Sequence, residues 1–148
     1  MRAVVQRVVS ARVDIAGETV GSIGRGYLIL LGVGMDDARA EADKLWAKIR
    51  DLRINDDEAG KTNLALADVA GQVLVVSQFT LYANCRRGRR PSFTEAAAPA
   101  QARELYEYFV SLARADVPQV HTGRFGADMQ VALVNDGPFT IVLDTDEL

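Results

Sequence analysis

The chain has 148 residues, 49% of them apolar and 25% charged, with 17 basic against 20 acidic residues and a net charge of −3. That length suits one domain with a real core, and no apolar run approaches the roughly 18–20 residues of a membrane span. A single cysteine, Cys85, and a single histidine, His121, exclude an internal disulfide, a cysteine-based metal cluster and a multi-histidine metal site.

Arg2 to Val13 alternates as a strand, and its arginines Arg2, Arg7 and Arg12 break any signal-peptide core. With one cysteine as well, the composition points to a cytoplasmic protein. Asp14 to Ile23 reads as a hairpin partner turning near Ala16-Gly17, and Gly26 to Val33 as a buried strand ended by Gly34. Asp36 or Asp37 is a suitable N-cap for a first helix, whose apolar face is Ala42, Leu45, Trp46, Ile49 and Leu52. Asn55 to Gly60 is a polar turn. A strand follows from Gln72, and then a loop from Asn84 to Thr94. Pro99 suits the first turn of a second helix with the stripe Leu105, Tyr108, Phe109 and Leu112. Short strands near Val117–Val120, Met129–Val134 and Phe139–Leu143 end the chain. The pattern predicts a single mixed α/β (α+β) domain over residues 1–148, with two helices and about seven strands.

Three stretches carry candidate chemistry. Val73 to Val76 has the β-branched continuity of a strand buried on both faces, and Ser77, Gln78 and Thr80 follow it within four positions. Continued alternation points Gln78, Thr80 and Tyr82 one way and Ser77, Phe79 and Leu81 the other. Buried polar groups of this kind need internal partners or a ligand, and a strand end satisfied by neighbouring backbone is the plainer reading. Cys85-Arg86-Arg87-Gly88-Arg89-Arg90-Pro91 places four arginines in five positions on an acidic protein. That pattern suits contact with a polyanion, or a solvated loop paired with surface acids. Asn135-Asp136-Gly137-Pro138 lies between two strands as a turn, where a cis bond is possible.

Together these pieces resemble the D-aminoacyl-tRNA deacylase family. The likeness runs from Met1-Arg2-Ala3-Val4-Val5-Gln6-Arg7-Val8 through Gly60-Lys61-Thr62-Asn63-Leu64 and Ser77-Gln78-Phe79-Thr80-Leu81. It continues with Arg90-Pro91-Ser92-Phe93, Thr122-Gly123-Arg124-Phe125, Ala127-Asp128-Met129 and Asn135-Asp136-Gly137-Pro138. The resemblance implies a mostly antiparallel, barrel-like or two-sheet core in the order ββ(βα)(βα)βββ. It implies a homodimer hydrolysing the ester between a D-amino acid and the terminal ribose of tRNA, with some action on glycyl-tRNA and with no cofactor, metal or membrane. Backbone groups of Ser77, Gln78, Phe79 and Thr80, with the substrate's ribose hydroxyl, would do the catalysis. Gly137 and Pro138 would enter the partner's site as a cis motif whose carbonyls exclude L side chains. Arg7 would fix that motif, and Met129 and Asn135 would join the substrate-binding set. Arg87 and Arg90 follow the family pattern; Arg86 and Arg89 look like additions that strengthen contact with tRNA or decorate the loop. Thr80 as a covalent nucleophile competes with the backbone mechanism but lacks an identifiable base. Two other readings stand beside it. One is a tRNA-binding protein without catalysis that uses the arginine loop. The other is a serine hydrolase, which needs His121 beside Ser77 or another serine.

Overall fold

The computed structural model describes residues 1–148. β1 (Arg2–Ile15), β2 (Glu18–Ile23) and β3 (Gly26–Gly32) open the chain, followed by helix α1 (Arg39–Asp51) and a small hairpin of β4 (Asn55–Asp56) and β5 (Thr62–Leu64). β6 (Gln72–Ser77) leads through a 3-10 turn (Phe79–Tyr82) to helix α2 (Pro99–Asp116), then β7 (Val120–Thr122) and β8 (Gln130–Asp144). The main sheet runs β2-β1-β3-β6-β7, with β8 on the other edge of β1. β1 pairs antiparallel with β2, β3 and β8, whereas β3–β6 and β6–β7 are parallel. The sheet curls until β7 meets β2: a Cβ at Gly21 would stand 2.6 Å from the Thr122 carbonyl oxygen. This is a mixed α+β domain, a nearly closed barrel with two helices on one side and a minor second sheet.

Period-2 alternation explains why β3 and β6 are apolar without interruption. Tyr27, Ile29, Leu31, Val73 and Val75 pack toward the helices, while Leu28, Leu74 and Val76 join Val8, Ala11 and Val13 inside the barrel. The helices meet through Trp46 and Phe109, whose rings stand edge to face at 5.7 Å. The Trp46 indole N–H donates to Asp116 at 2.8 Å. No helix is long and apolar enough to cross a membrane.

Several boundaries differ from the expected ones. α1 begins at Arg39 with Ala38 as N-cap, because the Asp37 carboxylate is already engaged by the Gly34 amide and the Met1 ammonium, each at 2.6 Å. In α2 the buried stripe is Ala102, Leu105, Tyr106, Phe109, Val110 and Ala113; Tyr108 and Leu112 only flank it. The polar turn after Asn55 is the tip of the β4–β5 hairpin. The strand expected at Val117–Val120 lies at Val120–Thr122, since Val117 still caps α2. The last two expected strands belong to one element: β8 spans Gln130–Asp144, looping out at Gly137 and Pro138 where its pairing with β1 passes from Asn135 to Thr140, so the chain closes with two strands rather than three.

Candidate active site

β6 stops at Ser77, one residue after its last inward valine. The Gln78 amide still donates to the Leu31 carbonyl at 2.8 Å, but from Phe79 the backbone coils into the 3-10 turn. This turn packs closely over Gly32, where a Cβ would lie 3.0 Å from both the Gln78 carbonyl oxygen and the Leu81 Cβ. The expected strand-like alternation of Gln78, Thr80 and Tyr82 is therefore absent. Thr80 and Phe79 are exposed, Ser77 and Gln78 half-buried, and Tyr82 buried. The set expected to be buried is a rim, and the Gln78 side-chain amide satisfies itself on the Thr80 hydroxyl.

The turn is pinned from below. Arg2 lies 4.4 Å over the Tyr82 ring and donates to the Leu81 carbonyl at 3.2 Å. The Tyr82 hydroxyl donates to Asp37 at 3.3 Å. Burial, reinforced by the Asp37 charge, pushes the Tyr82 phenol upward, so it acts as a neutral donor. In the first turn of such a segment the amides have no helical acceptor. The amides of Phe79 and Thr80 occupy that position.

Ser77, Gln78 and Phe79 line a cavity of about 630 Å³ together with Phe93, Phe125 and Met129. Two of these lining residues, Phe79 and Phe93, meet edge to face at 4.9 Å. The size suits a small ligand or the end of a larger one, and a mostly apolar lining with a few polar groups suits specific orientation. Phe93 and Phe125, which also line the cavity, were not among the expected site residues, although they end the segments Arg90–Phe93 and Thr122–Phe125.

A second cluster stands apart from this cavity. Arg7 is only 5% exposed. Its Nε donates to the Asp136 carbonyl at 2.9 Å and its Nη1 to the Ile54 carbonyl at 2.8 Å. Asp56 lies 3.3 Å from the same Nη1, and the guanidinium sits 4.8 Å over the Phe139 ring. Asn135 accepts from the Phe139 amide at 2.6 Å and donates to Gln6 at 2.5 Å, closing the loop that carries Gly137 and Pro138. The Gly137–Pro138 peptide is cis. Behind Arg7, Asn55 is fully buried and donates to the Tyr27 hydroxyl at 2.7 Å. Burial, opposed by the Asn55 bond, pushes the Tyr27 phenol to about 12. Of the expected site residues, Ser77, Gln78, Phe79 and Met129 share the cavity; Arg7, Asn135, Gly137 and Pro138 do not line it, nor does Thr80.

The four loop arginines, Arg86, Arg87, Arg89 and Arg90, are exposed. None takes part in an ion pair within the chain. His121 is exposed and lies opposite Leu74 on the neighbouring parallel strand, three positions before Ser77. That offset is roughly 10 Å along the strand, so a Ser77–His121 couple is not formed.

The α+β barrel carries, at the end of β6, a mostly apolar cavity whose lining includes Ser77, Gln78, Phe79, Phe93, Phe125 and Met129. The family model for D-Tyr-tRNA(Tyr) deacylase matches residues 4–144. A D-aminoacyl-tRNA deacylase of Variovorax paradoxus (strain S110) is 62% identical over 143 residues, covering 97% of this chain and 98% of that one. One from Thermosipho africanus (strain TCF52B) is 55% identical, covering 100% and 99%. A solved structure of c-Myc DNA Unwinding Element Binding Protein superposes with a TM-score of 0.92 at 40% identity, covering 97% and 98%. The chain belongs to the D-Tyr-tRNA(Tyr) deacylase family.

Proposed function

We propose that the protein hydrolyses the ester joining a D-amino acid to the terminal ribose of tRNA, releasing free tRNA and the amino acid. An aminoacyl ester is already activated, so orienting water and stabilising the developing oxyanion suffices without a strong protein nucleophile. Water adds to the ester carbonyl, the negative charge gathers on its oxygen, and the ribose oxygen leaves with a proton. The amide of Phe79, or that of Thr80 beside it at the rim, holds that oxygen, Ser77 and Gln78 shape the approach, and the neighbouring ribose hydroxyl helps position the water. Met129 supports the substrate from the facing wall.

The single observation that carries the hydrolytic reading is the match of residues 4–144 to the D-Tyr-tRNA(Tyr) deacylase model; within one chain the family-matching residues fall into two clusters, of which one lines the cavity. We infer that a second copy joins them, with the Gly137–Pro138 loop of one protomer entering the cavity of the other. Large apolar side chains exposed on β1 and β8, Val9, Val134 and Val142, support such a homodimer. The loop's carbonyls would receive the substrate ammonium and leave no room for an L side chain. Glycine, with no side chain to exclude, would be accepted, and the cytoplasm is where such substrates arise.

The test is hydrolysis of matched D- and L-tyrosyl-tRNA by purified protein treated with a chelator. Loss of the D ester alone is the expected result. Survival of both esters with tRNA still bound would replace this reading with a non-catalytic tRNA binder. For the dimer, a cavity-blocking Gln78→Trp protein and a Gly137→Val protein, each inactive alone, should regain activity when mixed. Inactivity of the mixture, with subunit exchange verified, would refute the shared site.

A further inference from the structure

Residues 84–92 form a closed loop whose chemistry the cavity does not use. Its neck is a pair of reciprocal bonds: the Asn84 amide donates to the Ser92 carbonyl at 2.7 Å, and the Ser92 amide to the Asn84 carbonyl at 2.9 Å. The Asn84 side chain accepts from the Arg86 amide at 3.1 Å and so sets the first bend. Gly88 takes a positive φ of 71° at the tip. Asn84, Arg86, Arg87 and Ser92 line a concavity of about 370 Å³ with no apolar residue in its wall. The polar neighbours at its base are Glu95, which accepts from the Asn84 amide group at 3.1 Å, and Thr94, 3.3 Å from the Ser92 hydroxyl.

The loop leaves from beside the cavity and returns to its wall at Phe93. One foot lies two residues beyond Tyr82, the end of the 3-10 turn; the other continues into Phe93, which packs on Phe79. Seven residues outside the neck reach at most roughly 12 Å from it when doubled back. The loop also concentrates charge against the rest of the molecule. Without its four arginines the chain would hold 13 basic residues against 20 acidic ones. Four unpaired guanidiniums held that close together repel one another, so an anion that bridges them is favoured.

We propose that this loop grips the sugar-phosphate backbone of the tRNA 3′ strand immediately upstream of the esterified ribose. The inference rests on the aminoacyl-tRNA reading above. Planar guanidinium forks match phosphate oxygens in bidentate fashion, and no apolar or stacking surface faces the concavity to read a base. The grip is therefore indifferent to sequence and equally present in ground and transition states. It lowers KM and leaves kcat alone.

Each single-strand phosphate neutralised contributes a slope of about −0.7 to log K against log salt. Two to four contacts make binding fall about 7- to 50-fold between 50 and 200 mM salt. The experiment measures hydrolysis of D-tyrosyl-tRNA and of D-tyrosyl-adenosine, which lacks the upstream phosphates, across that range. It adds filter binding of uncharged tRNA and a protein carrying Arg86→Ala, Arg87→Ala, Arg89→Ala and Arg90→Ala together. The wild-type protein should show the salt slope with tRNA and none with the adenosine ester. The variant should flatten the tRNA slope and raise KM with little change in kcat. An unchanged slope, or an equal loss on the adenosine ester, would overturn the proposal. If neither ester were cleaved but the variant still lost tRNA affinity and its salt slope, the loop assignment would stand and the hydrolytic reading would fall.

Discussion

Replacing Arg7 by lysine tests whether the Gly137–Pro138 loop is held by a two-pronged clamp. Nε and Nη1 of one planar group serve the carbonyls of Asp136 and Ile54 at 2.9 and 2.8 Å. An ammonium on a shorter stem keeps the charge but reaches only one of the two. One charge-assisted hydrogen bond is lost, about 1.5–3 kcal/mol. The nearby Asp56 contributes less, because its side chain is 46% exposed and its contact is 3.3 Å long. If the lost bond is felt at the reacting ester, turnover of the D ester falls about 10- to 150-fold at 1.36 kcal/mol per decade. The same loss lowers the melting temperature by about 3–12 °C for a domain of this size. The assay is single-turnover hydrolysis of D- and L-tyrosyl-tRNA at a temperature where circular dichroism shows both proteins folded. A slower D reaction with weakened preference over L is expected, and Asp56→Asn should show a milder form of it. Arg7→Lys with undiminished D rate and selectivity would refute the clamp, whatever its effect on stability.

Thr80→Ala should slow D-ester hydrolysis only severalfold in steady-state assays, since Thr80 is exposed and bonded to Gln78; abolished turnover with a trappable acyl-enzyme would establish it as a nucleophile. Phe109 is fully buried against Trp46, so Phe109→Ala should cost about 3–5 kcal/mol in urea unfolding; a cost under about 1 kcal/mol would contradict the helix packing. Acid should weaken the fold partly through Asp144. Burial raises its carboxyl, but hydrogen bonds from Arg2 and the Asp146 amide, with the Arg2 charge, outweigh burial and leave it below the usual range. A depressed folded value means stability present above the unfolded value of about 3.9 and lost as pH falls through the folded one. The melting-temperature gap between the native protein and Asp144→Asn should therefore shrink as pH falls from 6 to 3, and a constant gap would contradict the linkage.

The framework was legible where burial follows a simple period. β3 and β6 are sandwiched between barrel interior and helices, so unbroken apolar runs announced them, and α1 showed its face through Ala42, Leu45, Trp46 and Ile49. Local competition hid the rest. Asp37 is a good N-cap in isolation, yet a tertiary ammonium and the Gly34 amide claimed its carboxylate. Ser77 to Tyr82 alternates like a strand, but the close packing on Gly32 coils it. A proline inside β8 argued for a break, whereas the strand loops out between Asn135 and Phe139 and resumes its pairing with β1. Of the site, the cavity residues were visible as polar groups at a strand end. The acceptors that hold Arg7, the Ile54 carbonyl and Asp56, were not, because the segment from Asn55 looked like a solvated turn. Arg7 itself was expected to fix the Gly137–Pro138 motif, and its position pointed to those acceptors. It follows Ala3 and Val5 on an inward face, where a guanidinium must find buried acceptors.

The pairing of β1 with β8 shapes how the protein is made. Arg2 sits between Gly32 on one side and Asp144 on the other. The first neighbour is available early in synthesis and the second only after both helices have been made. Contacts of such long range are slow to form, and until β8 docks, β1 presents a bare edge carrying Val4, Val5, Val8 and Val9. Unpaired, valine-rich edges recruit other chains. A fragment ending before Gln130 would retain both helices and still self-associate, which light scattering of residues 1–129 would reveal. Interrupted translation of this message thus yields sticky products as well as inactive ones, and chaperone demand should peak in the interval before the last strand leaves the ribosome.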